Sequence, residues 1–221
     1  MSCMITRACI FDMDGVLIDS GAHHRNAWRA LIEELGVQPA QREYWRLTIG
    51  RPAEEAVPLL LGGPVTATEA RRLALRKREL YADFARHGTQ TVAGIPAFVA
   101  SLTRSGVPRA VGTSASRYDV ETLLAGLGLR RHFDVIVTAE DVRLGKPDPA
   151  VYLEAARRLG APPPTCLVFE DSLVGVVAAR RAGMRAIGVS TAHTAAELET
   201  AGAESTIADF EGLEWSSLVR P

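Results

Sequence analysis

From Thr91 onward, short apolar runs alternate with amphipathic ones, and the amphipathic runs keep stopping at glycines: Gly106, Gly128, Gly160, Gly183 and Gly202. The apolar runs cover 109–113, 133–137, 166–169 and 185–189, with a short one at 206–208, and each is bounded by turn residues. Continuous apolar character over so few residues is what strands buried on both faces require. Strands alternating with helices lead to a parallel sheet with helices on both faces. The expected fold class is therefore α/β, with a Rossmann-like core.

The segment 20–92 breaks that alternation and reads as helix throughout. His24, Trp28, Leu31 and Leu35 recur at helical spacing, with Ile32 beside them, and Gly36 ends that helix. A second helical piece is expected over 41–47, leading into the turn Ile49-Gly50-Arg51-Pro52. Pro52 suits the first position of a short helix to Leu61, which Gly62-Gly63-Pro64 breaks. Thr66-x-x-Glu69 is a capping box opening a long helix to about His87, with Leu73, Leu80 and Phe84 along one face. Thr194-x-x-Glu197 is another. The organisation expected is a core of 1–19 and 93–221 holding an all-helical cap, 20–92, inserted after the first strand.

A chain of 221 residues is long enough for one such core and a small insert. Its formal net charge of −1 gives no sign of a nucleic-acid or membrane partner. No apolar run reaches membrane-spanning length, and the first residues lack a signal peptide's apolar stretch, so a cytoplasmic location is expected. Cys3, Cys9 and Cys166 show no C-x-x-C spacing and read as reduced, mostly buried thiols.

The chemistry gathers at strand ends. Ala8-Cys9-Ile10-Phe11 has strand character and runs into Asp12-Met13-Asp14-Gly15. Side chains alternate along a strand, so Asp12 and Asp14 share a side where it ends. Two adjacent carboxylates repel and need a counter-charge, for which a hard divalent cation, Mg²⁺ above all, is suited. The same pair can divide its work into nucleophile and proton carrier. The spacing fits equally a turn whose acids both sit in water.

Ligands of open parallel sheets bind outside the carboxyl ends of the strands. There the second strand offers Thr113-Ser114-Ala115-Ser116, hydroxyls and N–H groups suited to a phosphate. After the third comes Gly145-Lys146-Pro147-Asp148-Pro149, and the fourth ends in Phe169-Glu170-Asp171-Ser172. Singly these fit a capped turn, a solvated lysine and a helix N-terminus. Together they supply what phosphoryl transfer through an aspartyl-phosphate needs: an attacking carboxylate, charges for the phosphoryl oxygens and a proton shuttle.

These four stretches resemble the motifs of the haloacid dehalogenase-like superfamily, and more narrowly the branch of beta-phosphoglucomutase and the sugar-phosphate phosphatases. The resemblance implies Asp12 as nucleophile and Asp14 as general acid/base. It implies Ser114, the Ala115 N–H and Lys146 as phosphate holders. Asp12, Asp14 (through its backbone carbonyl), Asp171 and Glu170 would form a Mg²⁺ site, Glu170 as a further ligand or beside one. The dehalogenases lack the second aspartate, so Asp14 argues for phosphate chemistry.

In the cap, His24 and Trp28 match a histidine and tryptophan of the mutase. Two cations that grip the sugar's second phosphate there are Ile49 and Ala53 here, with Arg51 between them. An asparagine after the second motif is Tyr118. His24 and Arg51 are the cap residues expected at the substrate. These departures favour a phosphatase of a small phosphorylated metabolite, a sugar phosphate first, with its cap open to water. A phosphosugar mutase is the alternative, and a catalytically silent binding protein a second. Arg71, Arg72, Arg76, Lys77 and Arg78 read as a solvated face among acids. His23 beside His24 lacks a third ligand for a transition metal. No Walker A loop, G-x-G-x-x-G or G-x-S-x-G occurs.

Overall fold

A computed structural model describes residues 6–39, 42–85 and 88–219. Six strands, β1 (Ala8–Phe11), β2 (Arg109–Gly112), β3 (Val135–Val137), β4 (Cys166–Glu170), β5 (Arg185–Val189) and β6 (Ser205–Ile207), form one parallel sheet in the order β3-β2-β1-β4-β5-β6. The chain thus winds outward from β1 in both directions, which makes β1 the switch point where a crevice opens.

The strands are short because both faces are covered. Along β1, Cys9 and Phe11 join one apolar cluster while Ala8 and Ile10 join the other, the period-two alternation of a buried strand. The first layer is built by α4 (Ile95–Arg104), α5 (Arg117–Gly126) and α9 (Trp215–Leu218). There Phe11 stacks on Phe169 at 5.0 Å and meets Phe98 edge-on. The second layer is α6 (Ala150–Leu159), α7 (Leu173–Arg181) and α8 (Ala195–Thr200), where small alanines bring helix and sheet close. Truncating a fully buried aromatic such as Phe11 to Ala would cost about 3–5 kcal/mol. Cys9 and Cys166 are free and buried in opposite layers, as reduced thiols. Cys3 lies outside the described residues.

The cap comprises α1 (Gly21–Leu35), α2 (Ala53–Leu61) and α3 (Ala67–Ala85), packed around Trp28, Leu31, Leu60, Leu73 and Leu80. Gly36 closes α1 in the left-handed conformation. The chain leaves and re-enters the core side by side: Ile18 bridges Thr91, and Asp19 N–H donates to the Gln90 carbonyl at 2.9 Å.

Several local expectations shift. The helical piece expected over 41–47 is a 3₁₀ turn, Tyr44–Thr48, too short to win α-helical hydrogen bonds; Gln41 lies outside the described residues. His87, expected near the end of α3, is also outside them. Pro52 is the N-cap of α2, not its first helical residue, because its ψ of 140° is extended. Of the box at Thr66, the hydroxyl accepts from Glu69 N–H, while the Glu69 carboxylate turns to Arg72; the box at Thr194 is complete. β3 begins at Val135, since Asp134 turns its carboxylate to the Arg109 N–H.

Among the described residues no helix is long and apolar enough to cross a membrane.

Candidate active site

Asp12 continues the β1 ladder by one bond, donating its N–H to the Phe169 carbonyl at 3.0 Å, so its side chain is set by the sheet. The chain then turns at Gly15, whose φ of +72° few other residues adopt. A Cβ there would fall 1.9 Å from Asp171 Oδ2, so the turn after β1 closes against the acid after β4 only with glycine.

Lys146 sits at the floor, 1% exposed, with Nζ 2.5 Å from Glu170 Oε1 and 2.9 Å from Asp12 Oδ1. Burial works against its charge, but the carboxylates of Asp12 and Glu170 outweigh it and hold the ammonium well above its ordinary range. Glu170 is fully buried and both oxygens are engaged: Oε1 accepts from Lys146 and the Tyr152 hydroxyl, Oε2 from the N–H and hydroxyl of Ser172.

The two aspartates of the first turn are held differently. Asp12 is 4% exposed, and burial raises its pKa to about 7 against the pull of Lys146, with Glu170 adding to the rise. Its Oδ1 pairs with Lys146 without hydrogen-bond alignment and has no other donor. Asp14 Oδ1 accepts from the Ser20 hydroxyl at 2.6 Å and from His24 Nε2 at 3.0 Å. Burial favours the neutral acid there too, but His24, Ser20 and Lys77 outweigh it and hold Asp14 at about 2.

Behind His24 stands Lys77, which belongs to the basic run expected to be a solvated face. That expectation is corrected for this residue. Lys77 is 7% exposed, places Nζ 2.6 Å from His24 Nδ1, and packs over the Trp28 and Tyr81 rings. Burial lowers its pKa to about 8, opposed by Asp14 and Asp119. Arg71, Arg72 and Arg76 do pair with surface acids, whereas Arg78 crosses from the cap to Asp119 at the start of α5. The signal for Lys77 was present: Leu73, Lys77 and Tyr81 follow one another at intervals of four on the apolar stripe of α3.

Cap and core enclose a cavity of about 740 Å³ lined by Asp12, Asp14, His24, Arg51, Ser114 and Lys146, among others. Ser114 Oγ donates to the Gly50 carbonyl of the cap turn at 3.0 Å, and the Ala115 N–H is bonded to Thr113 Oγ1. Gly50, at φ +74°, brings that turn so close to Ser172 that a Cβ would fall 2.3 Å from its hydroxyl. The Arg51 side chain has no hydrogen-bond or ion-pair partner among the described residues. Arg46 of the cap pairs with Glu197 of the core.

Carboxylate oxygens of Asp12, Glu170 and Asp171 lie within 4.8 Å of one another. The Asp14 carboxylate is directed instead to Ser20 and His24. Burial and the charges of Glu170 and Asp12 push Asp171 well above the ordinary carboxylate range. Three buried acids face one ammonium. An all-oxygen, hard donor set of this kind fits Mg²⁺.

A sequence profile described as "haloacid dehalogenase-like hydrolase" matches residues 6–183. The chain is 34% identical over 216 residues to validoxylamine A 7'-phosphate phosphatase of Streptomyces hygroscopicus subsp. limoneus, covering 95% of this chain and 96% of that protein. It is 34% identical over 180 residues to the fructose-1-phosphate phosphatase YqaB of Escherichia coli (strain K12), covering 81% and 94%. Among solved structures, beta-phosphoglucomutase from Clostridium difficile superposes with a TM-score of 0.85 at 23% identity, covering 96% of this chain and 95% of that one, a likeness of fold.

Proposed function

The chain belongs to the haloacid dehalogenase-like hydrolases, and from that premise we propose that it is a Mg²⁺-dependent phosphatase of a small phosphorylated metabolite, a sugar phosphate first, working through an aspartyl-phosphate on Asp12. The observation that carries this is the contrast between two neighbouring aspartates. Asp12 Oδ1 lies 2.9 Å from the buried ammonium of Lys146, beside the acids of β4, while Asp14 Oδ1 is held by the Ser20 hydroxyl and His24. Position divides the roles: Asp12 stands against Lys146 and the acids at the end of β4, and Asp14 stands against the Ser20 and His24 donors of the cap, where a leaving oxygen can be met.

In the first half-reaction Asp12 attacks phosphorus and the substrate oxygen leaves with a proton from Asp14. Asp14 starts as a carboxylate; the entering phosphate's negative charge raises its pKa so that it takes up a proton from solvent as substrate binds, and that proton is the one passed to the leaving oxygen. In the second half, Asp14 takes a proton from water as it attacks the aspartyl-phosphate. Lys146 and Ser114 hold the phosphoryl oxygens. Ser114 then exchanges its bond to Gly50 for one to phosphate. Asp12 and Asp171, with Glu170 behind them and the Asp14 carbonyl, would hold Mg²⁺, which when bound neutralises charge on the transferring group.

A mutase is the second reading, favoured by one observation: Arg25, Lys77 and Arg78 join Arg51 as cap cations lining the cavity. Lys77 is committed to His24, Arg78 to Asp119, and Arg25 lies over the Trp45 ring, which leaves Arg51 as the cap cation best placed to anchor a second phosphate and favours hydrolysis. The test is incubation with beta-glucose 1-phosphate and Mg²⁺, with and without the 1,6-bisphosphate. Stoichiometric inorganic phosphate, independent of the bisphosphate, is expected. Glucose 6-phosphate with little free phosphate would establish the mutase.

A further inference from the structure

The loop that follows β5, residues 190–194, contributes nothing to the constellation described above, yet it touches both turns that carry the clustered acids. Thr191 Oγ1 donates to the Gly15 carbonyl at 2.6 Å and stands 3.5 Å from Asp171 Oδ2. His193 is 7% exposed, with Nδ1 3.0 Å from the Asp171 carbonyl. A carbonyl only accepts, so Nδ1 carries the proton and the ring is fixed in one tautomer. The loop is stiff at both ends. Ser190 N–H donates to the Ile207 carbonyl at 2.9 Å, and Thr194 opens α8 with its reciprocal box.

We propose that this loop is a brace for the cation site, with Thr191 and His193 as positioning residues that set its affinity for Mg²⁺. The inference rests on reading Asp12, Glu170 and Asp171 as that site. Carboxylates drawn together without a cation repel, and any slack in their backbones lets them spread. Gly15 has no side chain by which its turn can be held, so its carbonyl is the available handle, and Thr191 takes it. His193 does the same for the backbone of Asp171. Neither residue meets the cation; each keeps a ligand-bearing turn where the cation needs it. Partners of this kind contribute about 10–100-fold to metal affinity where they have been removed.

The experiment is calorimetric titration of Mg²⁺ into the chelator-treated full chain, without substrate, with melting of each cation-free variant followed by circular dichroism. Thr191→Val keeps the shape and removes the hydroxyl, and should raise the dissociation constant about 10-fold at unchanged melting temperature. Thr191→Ser should restore it. His193→Leu should weaken binding at least as much, and His193→Asn, whose amide N–H takes the place of Nδ1, should recover most of the loss. Where His193→Leu melts early, Thr191→Val, at an exposed rim position, decides. Wild-type affinity in Thr191→Val and His193→Leu would overturn the brace while leaving the cation site standing. So would losses that follow melting temperature and are not rescued by Ser or Asn. No binding by the wild-type chain would overturn the cation site itself, and the brace with it.

Discussion

Lys77 Nζ lies 2.6 Å from Nδ1 of His24, beneath the turn that carries Asp14. An ammonium has no lone pair, so Nδ1 is the acceptor and the ring proton sits on Nε2, aimed at Asp14. Burial and the charge of Lys77 pull His24 below its ordinary pKa against the pull of Asp14, which agrees with a neutral ring. The lysine therefore fixes which proton Asp14 meets, without touching Asp14 itself.

Lys77→Met should free the ring to turn and misalign Asp14. On an alkyl phosphate, whose leaving oxygen needs a proton, kcat should fall about 100-fold. On p-nitrophenyl phosphate, whose leaving group departs without one, the loss should be under about 10-fold. Steady-state kinetics on both substrates check this, and equal losses would remove Lys77 from the proton path.

Asp12→Asn should stop phosphate release, because an amide cannot replace a carboxylate nucleophile. It also relieves the crowding of three buried acids around one ammonium. In chelator the variant should melt at or above the wild type, while added Mg²⁺ should raise the melting temperature of the wild type alone. Turnover near wild type in a folded variant would refute the assignment.

Arg51 lines the cavity without a partner of its own, so its guanidinium is available to a ligand. Arg51→Ala should raise KM by about 10-fold or more for a sugar phosphate, the size expected for a charged hydrogen bond, and leave p-nitrophenyl phosphate within about twofold of wild type. A comparison of KM and kcat on the two substrates checks it; equal losses would place Arg51 on the common phosphate.

Away from the site, Asp141 accepts from the Thr138 N–H at 2.8 Å and from Arg158 at 2.8 Å. Burial opposes ionisation, but Arg158 and Thr138 bring its pKa to about 2, below its ordinary 3.8. A carboxylate depressed on folding stabilises fully above its unfolded pKa, and that stabilisation is lost as pH falls towards about 2. Its worth is about 1–2 kcal/mol. Asp141→Asn should lower stability by that amount at pH 7 and flatten its dependence on pH between about 4 and 2. Urea unfolding at stepped pH measures it.

The sheet was legible because buried parallel strands are written as short apolar runs, and the strand-end acids because D-x-D-G and F-E-D-S each end such a run. Lys77 was hidden by its neighbours. Charged residues on every side mask the four-residue spacing that places it inside. The 3₁₀ turn at Tyr44–Thr48 is too short to carry a period. Thr191 and His193 act on backbone carbonyls of residues far off in the chain, and such contacts leave no pattern in the neighbouring sequence.

Both donors to Asp14 Oδ1, Ser20 and His24, lie on the cap side of the Ile18–Thr91 bridge. A displacement of the cap about that ribbon would take both donors from Asp14 at once. With the mouth shut Asp14 is aimed; were it to gape and admit bulk water, Asp14 would lose both donors. A phosphorylated Asp12 exposed by an early opening would face abundant water and no aligned base, so the half-finished turnover would wait for the lid.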